Sequence, residues 1–272
     1  MKIEKVTTRN AMYQKFEVLK SNRNKRYKYQ EFLVEGVRNI KEAIQKGWEI
    51  KSFLYSGERK LSDWAREVLT KTPVKVNYQL SDQLLQDLSG KEDTSELLAI
   101  VGMRPDNLDI LTLSANPVLA LFDRPSNKGN LGTIIRSCDA LGVEGLIITG
   151  HAVDLYDPEV VVASMGSFFN LPVIRVSENQ KVMEFISKMK QRYSDFQAIG
   201  TTAHQEHPLY RLNLTGPVLF MIGNETDGLC NAFKECCDVL ATIPMASTAY
   251  ATSFNVGCAA TVMFYEAARQ RS

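Results

Sequence analysis

Three stretches of the chain gather side chains that could hold a ligand. Gly223-Asn224-Glu225 sets a small residue, an amide and a carboxylate directly after the apolar run Val218–Ile222. Such a run stops at a glycine as a buried strand stops at a turn. In open α/β sheets, ligands collect at that carboxyl edge. A second apolar run, Val239–Met245, is broken at Pro244. Ser253 and Asn255 stand at the front of a helix read from Thr252 to Arg269, where Val256, Ala260, Met263, Phe264 and Ala267 recur at helical spacing. Asn130, inside the Pro-, Gly- and Asn-rich loop Asp123–Gly132, and Arg136, on the helix that follows, lie six apart. Together these residues offer hydrogen-bond donors and acceptors and one permanent cation. On spacing alone, a capping Asn130 and a solvated Arg136 are the plainer reading.

Several chemistries have no support. The Asp123–Gly132 loop contains neither G-x-x-x-x-G-K-[ST] nor G-x-G-x-x-G, so it carries no nucleotide fingerprint. No G-x-S-x-G elbow and no H-E-x-x-H pair occurs. The histidines are His151, His204 and His207. His204 and His207 enclose Glu206 but lack converging ligands, so a surface loop and no metal is expected. The five cysteines form no C-x-x-C pair and read as reduced, mostly buried thiols. Cys236-Cys237 is read as packing rather than as a redox pair.

The chain of 272 residues is 44% hydrophobic and 23% charged, enough to bury one large or two modest cores. Charge is unevenly spread. Residues 1–60 carry 15 Lys/Arg against 7 Asp/Glu, a net +8, so a whole-chain charge of +1 leaves −7 for the rest. That asymmetry points to a polyanion-facing N-terminal part. Within it, Lys20, Arg23, Lys25, Arg26 and Lys28 interleave with Tyr27 and Tyr29. Phosphate contact beside a stacking aromatic and a solvated turn fit this cluster equally well. The first 103 residues read as a small α/β domain: a short helix in Ile3–Val18, strands at Glu31–Glu35, Ile50–Tyr55, Val74–Val76 and Leu97–Val101, and helices between them. Residues 104–116 read as a linker and 117–272 as a second domain. There, strands at Val118–Phe122, Gly145–Thr149, Pro172–Val176, Ala198–Thr202, Val218–Ile222 and Val239–Ile243 alternate with helices. This rhythm predicts a mostly parallel sheet covered on both faces. Met1–Asn10 is too polar for a signal peptide, and no apolar run approaches a bilayer span. A cytoplasmic protein is expected.

Three motifs then carry a resemblance. Asn130-Leu-Gly-Thr-Ile-Ile-Arg136-Ser-Cys-Asp-Ala-Leu-Gly142, Ile222-Gly-Asn-Glu225-Thr-Asp-Gly228-Leu, and Ile243-Pro-Met245 followed by Ser253-Phe-Asn255-Val resemble, in order, the three motifs of the SpoU (TrmH-type) RNA 2′-O-ribose methyltransferases. They span about residues 117–270. The N-terminal part is similar to the substrate-binding domain often fused ahead of this catalytic domain. The resemblance implies an α/β SPOUT fold whose parallel sheet ends in a C-terminal trefoil knot, S-adenosylmethionine as cofactor, and a homodimer. No metal is implied. It implies catalytic roles for Asn130, Arg136, Glu225, Ser253 and Asn255. Asn130 would position Arg136 or the ribose, and Glu225 would orient Arg136 or an amide. It implies cofactor contacts at Thr201, Thr202, Ile222, Gly223, Asn224, Gly228, Ile243, Met245 and Phe254. Arg23, Lys25, Arg26 and Lys28 would meet RNA. Ribosomal RNA is the first expectation and transfer RNA the second, with a non-catalytic RNA-binding protein as the alternative. Phe254 stands where the family usually has Leu, Gly257 where it has Ser or a similar small residue, and Met245–Ser253 is slightly long.

Overall fold

The computed structural model describes residues 2–90, 93–202 and 207–272. Its first part runs β1 (Lys2–Val6), α1 (Ala11–Ser21), α2 (Arg23–Tyr29), β2 (Glu31–Glu35), α3 (Val37–Gln45), β3 (Ile50–Ser56), α4 (Asp63–Lys71), β4 (Val76–Leu80), α5 (Asp82–Ser89) and β5 (Leu97–Gly102). These strands make one mixed sheet in the order β1-β4-β3-β5-β2, with β5 antiparallel to both neighbours. Polar caps set where the helices start. The Asn10 side chain accepts from the amides of Met12 and Tyr13, Ser62 from that of Ala65, and Ser81 from that of Leu84. The expectation of one helix across Ile3–Val18 is corrected by the first of these caps. The helix begins only after Asn10, and Lys2–Val6 pairs in parallel with β4 instead. The third strand expected at Val74–Val76 lies further on, at Val76–Leu80.

The rest runs β6 (Val118–Asp123), α6 (Lys128–Ala140), β7 (Gly145–Thr149), α7 (Pro158–Ala163), β8 (Val173–Val176), α8 (Asn179–Arg192), β9 (Gln197–Thr201), β10 (His207–Pro208), β11 (Val218–Ile222), α9 (Asn231–Cys236), β12 (Val239–Thr242) and α10 (Val256–Gln270). Seven strands form a parallel sheet in the order β10-β12-β9-β11-β6-β7-β8. Every residue of β6, β7 and β11 is buried, as strands covered on both faces must be. That double burial is why they read as unbroken apolar runs. No helix among the described residues is long and apolar enough to cross a membrane.

The chain folds as two compact units. One comprises the chain up to Arg104 together with Asp154–Asn170; the other comprises Pro105–Val153 and Leu171–Ser272. This differs from the expected boundaries in two places. Pro105–Asn116 is no free linker: Leu108, Leu111 and Leu113 pack on the core of the second unit, and the Ser114 hydroxyl donates to Glu144 at 2.6 Å. Asp154–Asn170 comes from the later sequence but completes the first unit. Its Tyr156, Phe168 and Phe169 stack edge-on and obliquely around Phe32 and Trp48, and the Trp48 indole donates to the Phe169 carbonyl at 2.9 Å. Aromatic rings in such clusters bury about 150–250 Å² each, enough to hold a segment in place.

Candidate active site

Four strands of the second unit, β6, β9, β11 and β12, send their carboxyl ends toward the residues singled out from the sequence. Glu225 is the hub. Its carboxylate accepts from the Ser126 hydroxyl at 2.7 Å, the Ser126 amide at 3.0 Å, the Asn127 amide at 3.2 Å and the Asn130 side-chain amide at 3.3 Å. Burial alone would raise its pKa. The Ser126 hydroxyl and amide and the Asn130 amide outweigh that, and hold the carboxyl below the usual glutamate range. Asn130 passes the chain on, because its Oδ1 accepts from the Asn255 side-chain amide at 3.1 Å. Asn255 caps α10, its Oδ1 accepting from the amides of Gly257 and Cys258. One continuous line of hydrogen bonds, Glu225 to Asn130 to Asn255, thus ties the three motifs together.

Asn127, and not Asn130, caps α6. The capping reading of Asn130 is therefore corrected, and its side chain is left for Glu225 and Asn255. Arg136 sits further along α6, about 9 Å in axial rise from Asn130. It is exposed and makes no hydrogen bond or ion pair among the described residues. Glu225 orients an amide rather than Arg136. Ser253 is exposed and is not joined to this line.

The residues expected around the cofactor fall in three places. At the end of β9, the Thr201 hydroxyl accepts from the Gly223 amide at 3.2 Å, and the Thr202 amide donates to the Ala241 carbonyl at 3.0 Å. After Ile222, which is buried, the turn Gly223–Gly228 closes on itself, since Asn224 and Gly228 exchange backbone hydrogen bonds of 3.0 Å. A Cβ at Gly223 would collide with the backbone of Gly228 and Leu229, so only glycine fits. Beyond β12, Ile243 is half-buried, whereas Met245 and Phe254 are 36% and 44% exposed on a segment that is exposed from Pro244 to Asn255.

The thiols are less buried than expected from the sequence: Cys138 is buried, Cys230, Cys236 and Cys237 are half-buried, and Cys258 is exposed. All five cysteines are free. Burial pushes the Cys237 thiol up to about 12 and raises those of Cys138, Cys230 and Cys236. Of the histidine pair, His204 and the intervening Glu206 lie outside the described residues. Among the described residues no His/Cys/Asp/Glu cluster converges as a metal site would require.

In the first unit the basic cluster from Arg23 on forms α2 rather than a turn, Lys20 lies in α1, and one of the cluster's members is corrected. Arg26 is 1% exposed. Its Nε donates to Asp154 at 2.7 Å and its NH1 donates to the carbonyls of Leu19 and Lys20 at 2.9 and 2.8 Å. The Tyr27 hydroxyl donates to the same aspartate at 2.8 Å. A guanidinium so buried and so fully used cannot meet a phosphate. Arg23 and Lys28 are exposed and Lys25 half-buried, and Arg23 lies over the Tyr27 ring at 5.5 Å.

The sequence reading missed Asp123, Arg124, Ser126 and Asn127. For Asn127 a signal existed, since an asparagine just before a helical run is a start signal. The others act through partners about 100 positions away.

Comparison with known proteins gives the family. Residues 117–265 match the SpoU rRNA Methylase family, and residues 10–99 match the SpoU L30e-like domain. The chain belongs to the SpoU rRNA methylase family, whose members use S-adenosylmethionine. Among its relatives is a 23S rRNA (uridine(2479)-2′-O)-methyltransferase of Streptomyces viridochromogenes, 43% identical over 98% of this chain and 92% of the relative. The structure of the SpoU methyltransferase AviRb from that organism, in complex with AdoMet, superposes with a TM-score of 0.90 at 43% identity, covering 97% of this chain and 98% of that one. An AdoMet-bound rRNA methyltransferase from Sinorhizobium meliloti superposes with a TM-score of 0.82 at 26% identity, over 98% of each chain.

Proposed function

We propose that this chain methylates the ribose 2′-hydroxyl of a uridine in 23S ribosomal RNA in the cytoplasm. The observation that carries the reading is the Glu225–Asn130–Asn255 line, which fixes two amides beside the glycine-walled turn at the strand ends. The uridine and the 23S RNA rest on the S. viridochromogenes relative, which is alike over nearly the full length of both chains.

The turn Gly223–Gly228, with Thr201, Thr202 and Ile222 beneath it and Ile243, Met245 and Phe254 beyond β12, suits S-adenosylmethionine. It offers backbone groups at close approach and exposed apolar side chains for a purine. When bound, the cofactor supplies an activated methyl group. The work left for the chain is orientation, because a ribose hydroxyl is a poor nucleophile and must lie in line with the bond that breaks. Asn130 and Asn255, locked by Glu225, orient the ribose. Ser253 closes the site from the third motif. Arg136 holds the adjacent phosphate and stabilises the developing alkoxide as a cation. A guanidinium stays protonated in proteins, so it does not serve as the base, and the hydroxyl's proton leaves to solvent as the oxygen takes the methyl group.

The reading includes a homodimer with sites shared between protomers. The exposed apolar side chains Val262 and Tyr265 on α10, at 40% and 57%, and Phe254 before it support this, as does an Arg136 without a partner in its own protomer among the described residues. It includes a trefoil knot as well, supported by the order in which β11 returns between β6 and β9. Recruitment of RNA falls to Arg23, Lys25 and Lys28.

The test is transfer of tritiated methyl from S-adenosylmethionine to 23S rRNA and to tRNA, followed by mapping of 2′-O-methyl positions. A uridine in 23S rRNA is the expected product. Transfer to tRNA alone would overturn the substrate, and no transfer to either by a folded, cofactor-binding dimer would overturn the reading.

A further inference from the structure

Behind the turn Gly223–Gly228 stands an arginine whose backbone and side chain both hold it. Asp123 ends β6 with its carboxylate buried, accepting from the Thr149 hydroxyl at 2.8 Å, the Cys230 amide at 3.0 Å and the Arg124 Nε at 3.1 Å. Arg124 follows with a φ of +51°, in the left-handed region that a side chain disfavours. The adopted conformation has a visible use. It lets the Arg124 amide donate to the Thr149 carbonyl at 3.2 Å while the Arg124 carbonyl accepts from the Asn224 side chain at 2.6 Å. The guanidinium meanwhile donates to the Gly228 carbonyl at 3.1 Å and lies 3.6 Å from Asp227. One residue therefore grips both ends of the turn, Asn224 at its start and Gly228 at its close, and is itself seated on a buried carboxylate.

We infer that Arg124 is a positioning residue that sets the shape of the Gly223–Gly228 turn, and through it the affinity for S-adenosylmethionine. This rests on the reading of that turn as part of the cofactor site. The geometry needs a planar fork of donors. One edge of the guanidinium is spent on Asp123 while another reaches Gly228, which a single ammonium at the end of a flexible chain does not reproduce. Asp123 by itself needs only a cation. A lysine in place of Arg124 would therefore keep the buried carboxylate paired and lose the grip on the turn.

The experiment compares wild type with Arg124→Lys by calorimetric titration of S-adenosylmethionine, with and without RNA, by steady-state kinetics in both substrates, and by melting. The expected result for Arg124→Lys is a melting temperature near that of wild type and an unchanged KM for RNA. The Kd and KM for S-adenosylmethionine should rise about tenfold or more, and kcat at saturating cofactor should stay within about twofold, the pattern of a loss in uniform binding. Wild-type cofactor affinity in Arg124→Lys would overturn the inference, for Arg124 would then be no more than a counter-ion to Asp123. Should Arg124→Lys melt far below wild type, the same cofactor titration is run at a temperature well below its melting point, where the protein is folded. Gly223→Ala separates the inference from the reading beneath it. Lost cofactor binding in Gly223→Ala with normal binding in Arg124→Lys overturns Arg124 alone, whereas normal binding in a folded Gly223→Ala removes the turn from the cofactor site and the inference with it.

Discussion

Arg26 in the first unit and Arg136 in the second both came from motifs singled out in the sequence, and the structure treats them in opposite ways. Arg26 is buried and spends its donors on Asp154 and on the carbonyls of Leu19 and Lys20. Arg136 is exposed and has no partner among the described residues. Burying a guanidinium is costly unless its donors are met, so an arginine at 1% exposure is committed to the fold. An arginine left unmet at the surface keeps its charge for something that arrives. The asymmetry separates structural cations from candidate functional ones better than local charge density does.

The largest effect that would sharpen this contrast is on stability. Arg26→Ala leaves the Asp154 carboxylate buried and short of a cation, and is expected to cost about 3–5 kcal/mol. Urea unfolding measures it, and a loss within about 0.5 kcal/mol would place Arg26 with the surface cations. Next comes Arg136→Ala, expected to slow methyl transfer by about 10²-fold or more, roughly 2.7 kcal/mol in the barrier, as for loss of one preorganised charged group. Its melting curve should barely move, and Arg136→Lys should rescue only in part. Near-normal transfer would return Arg136 to the role of a solvated helix residue. Replacing Arg23, Lys25 and Lys28 together should weaken RNA binding and lower its salt slope by about one for each phosphate that is no longer neutralised. An unchanged slope would make α2 a solvated helix.

The smallest effect concerns pH. Because Glu225 is held below its ordinary value in the fold, its contribution is fully present above the normal glutamate range and is lost as pH falls through the lowered value. The melting-temperature gap between wild type and Glu225→Gln should therefore narrow in acid. Solvent screening limits it to about 2 °C or less. A gap that widens in acid would show the carboxyl bound in its protonated form.

What the sequence made legible follows from where the causes sit. β6, β7 and β11 were readable because burial on both faces leaves a continuous apolar run. Ser81 was readable as a cap because its partner, the Leu84 amide, is three residues away. The three motifs at the site were readable in type and order through resemblance, yet their hydrogen-bond line was not, since Asn130 and Asn255 are 125 positions apart. Arg26 misled for the same reason: its carboxylate lies 128 positions further on. Composition exposes a cation and not its partner.

The excursion of Asp154–Asn170 into the first unit also limits how this protein can be taken apart. A gene cut at Arg104 would release an N-terminal fragment without Tyr156, Phe168, Phe169 and the aspartate that neutralises Arg26, and would leave that guanidinium without its carboxylate. Exchange of substrate-binding units between relatives by recombination would need two crossovers on either side of that insert, in addition to one near Pro105.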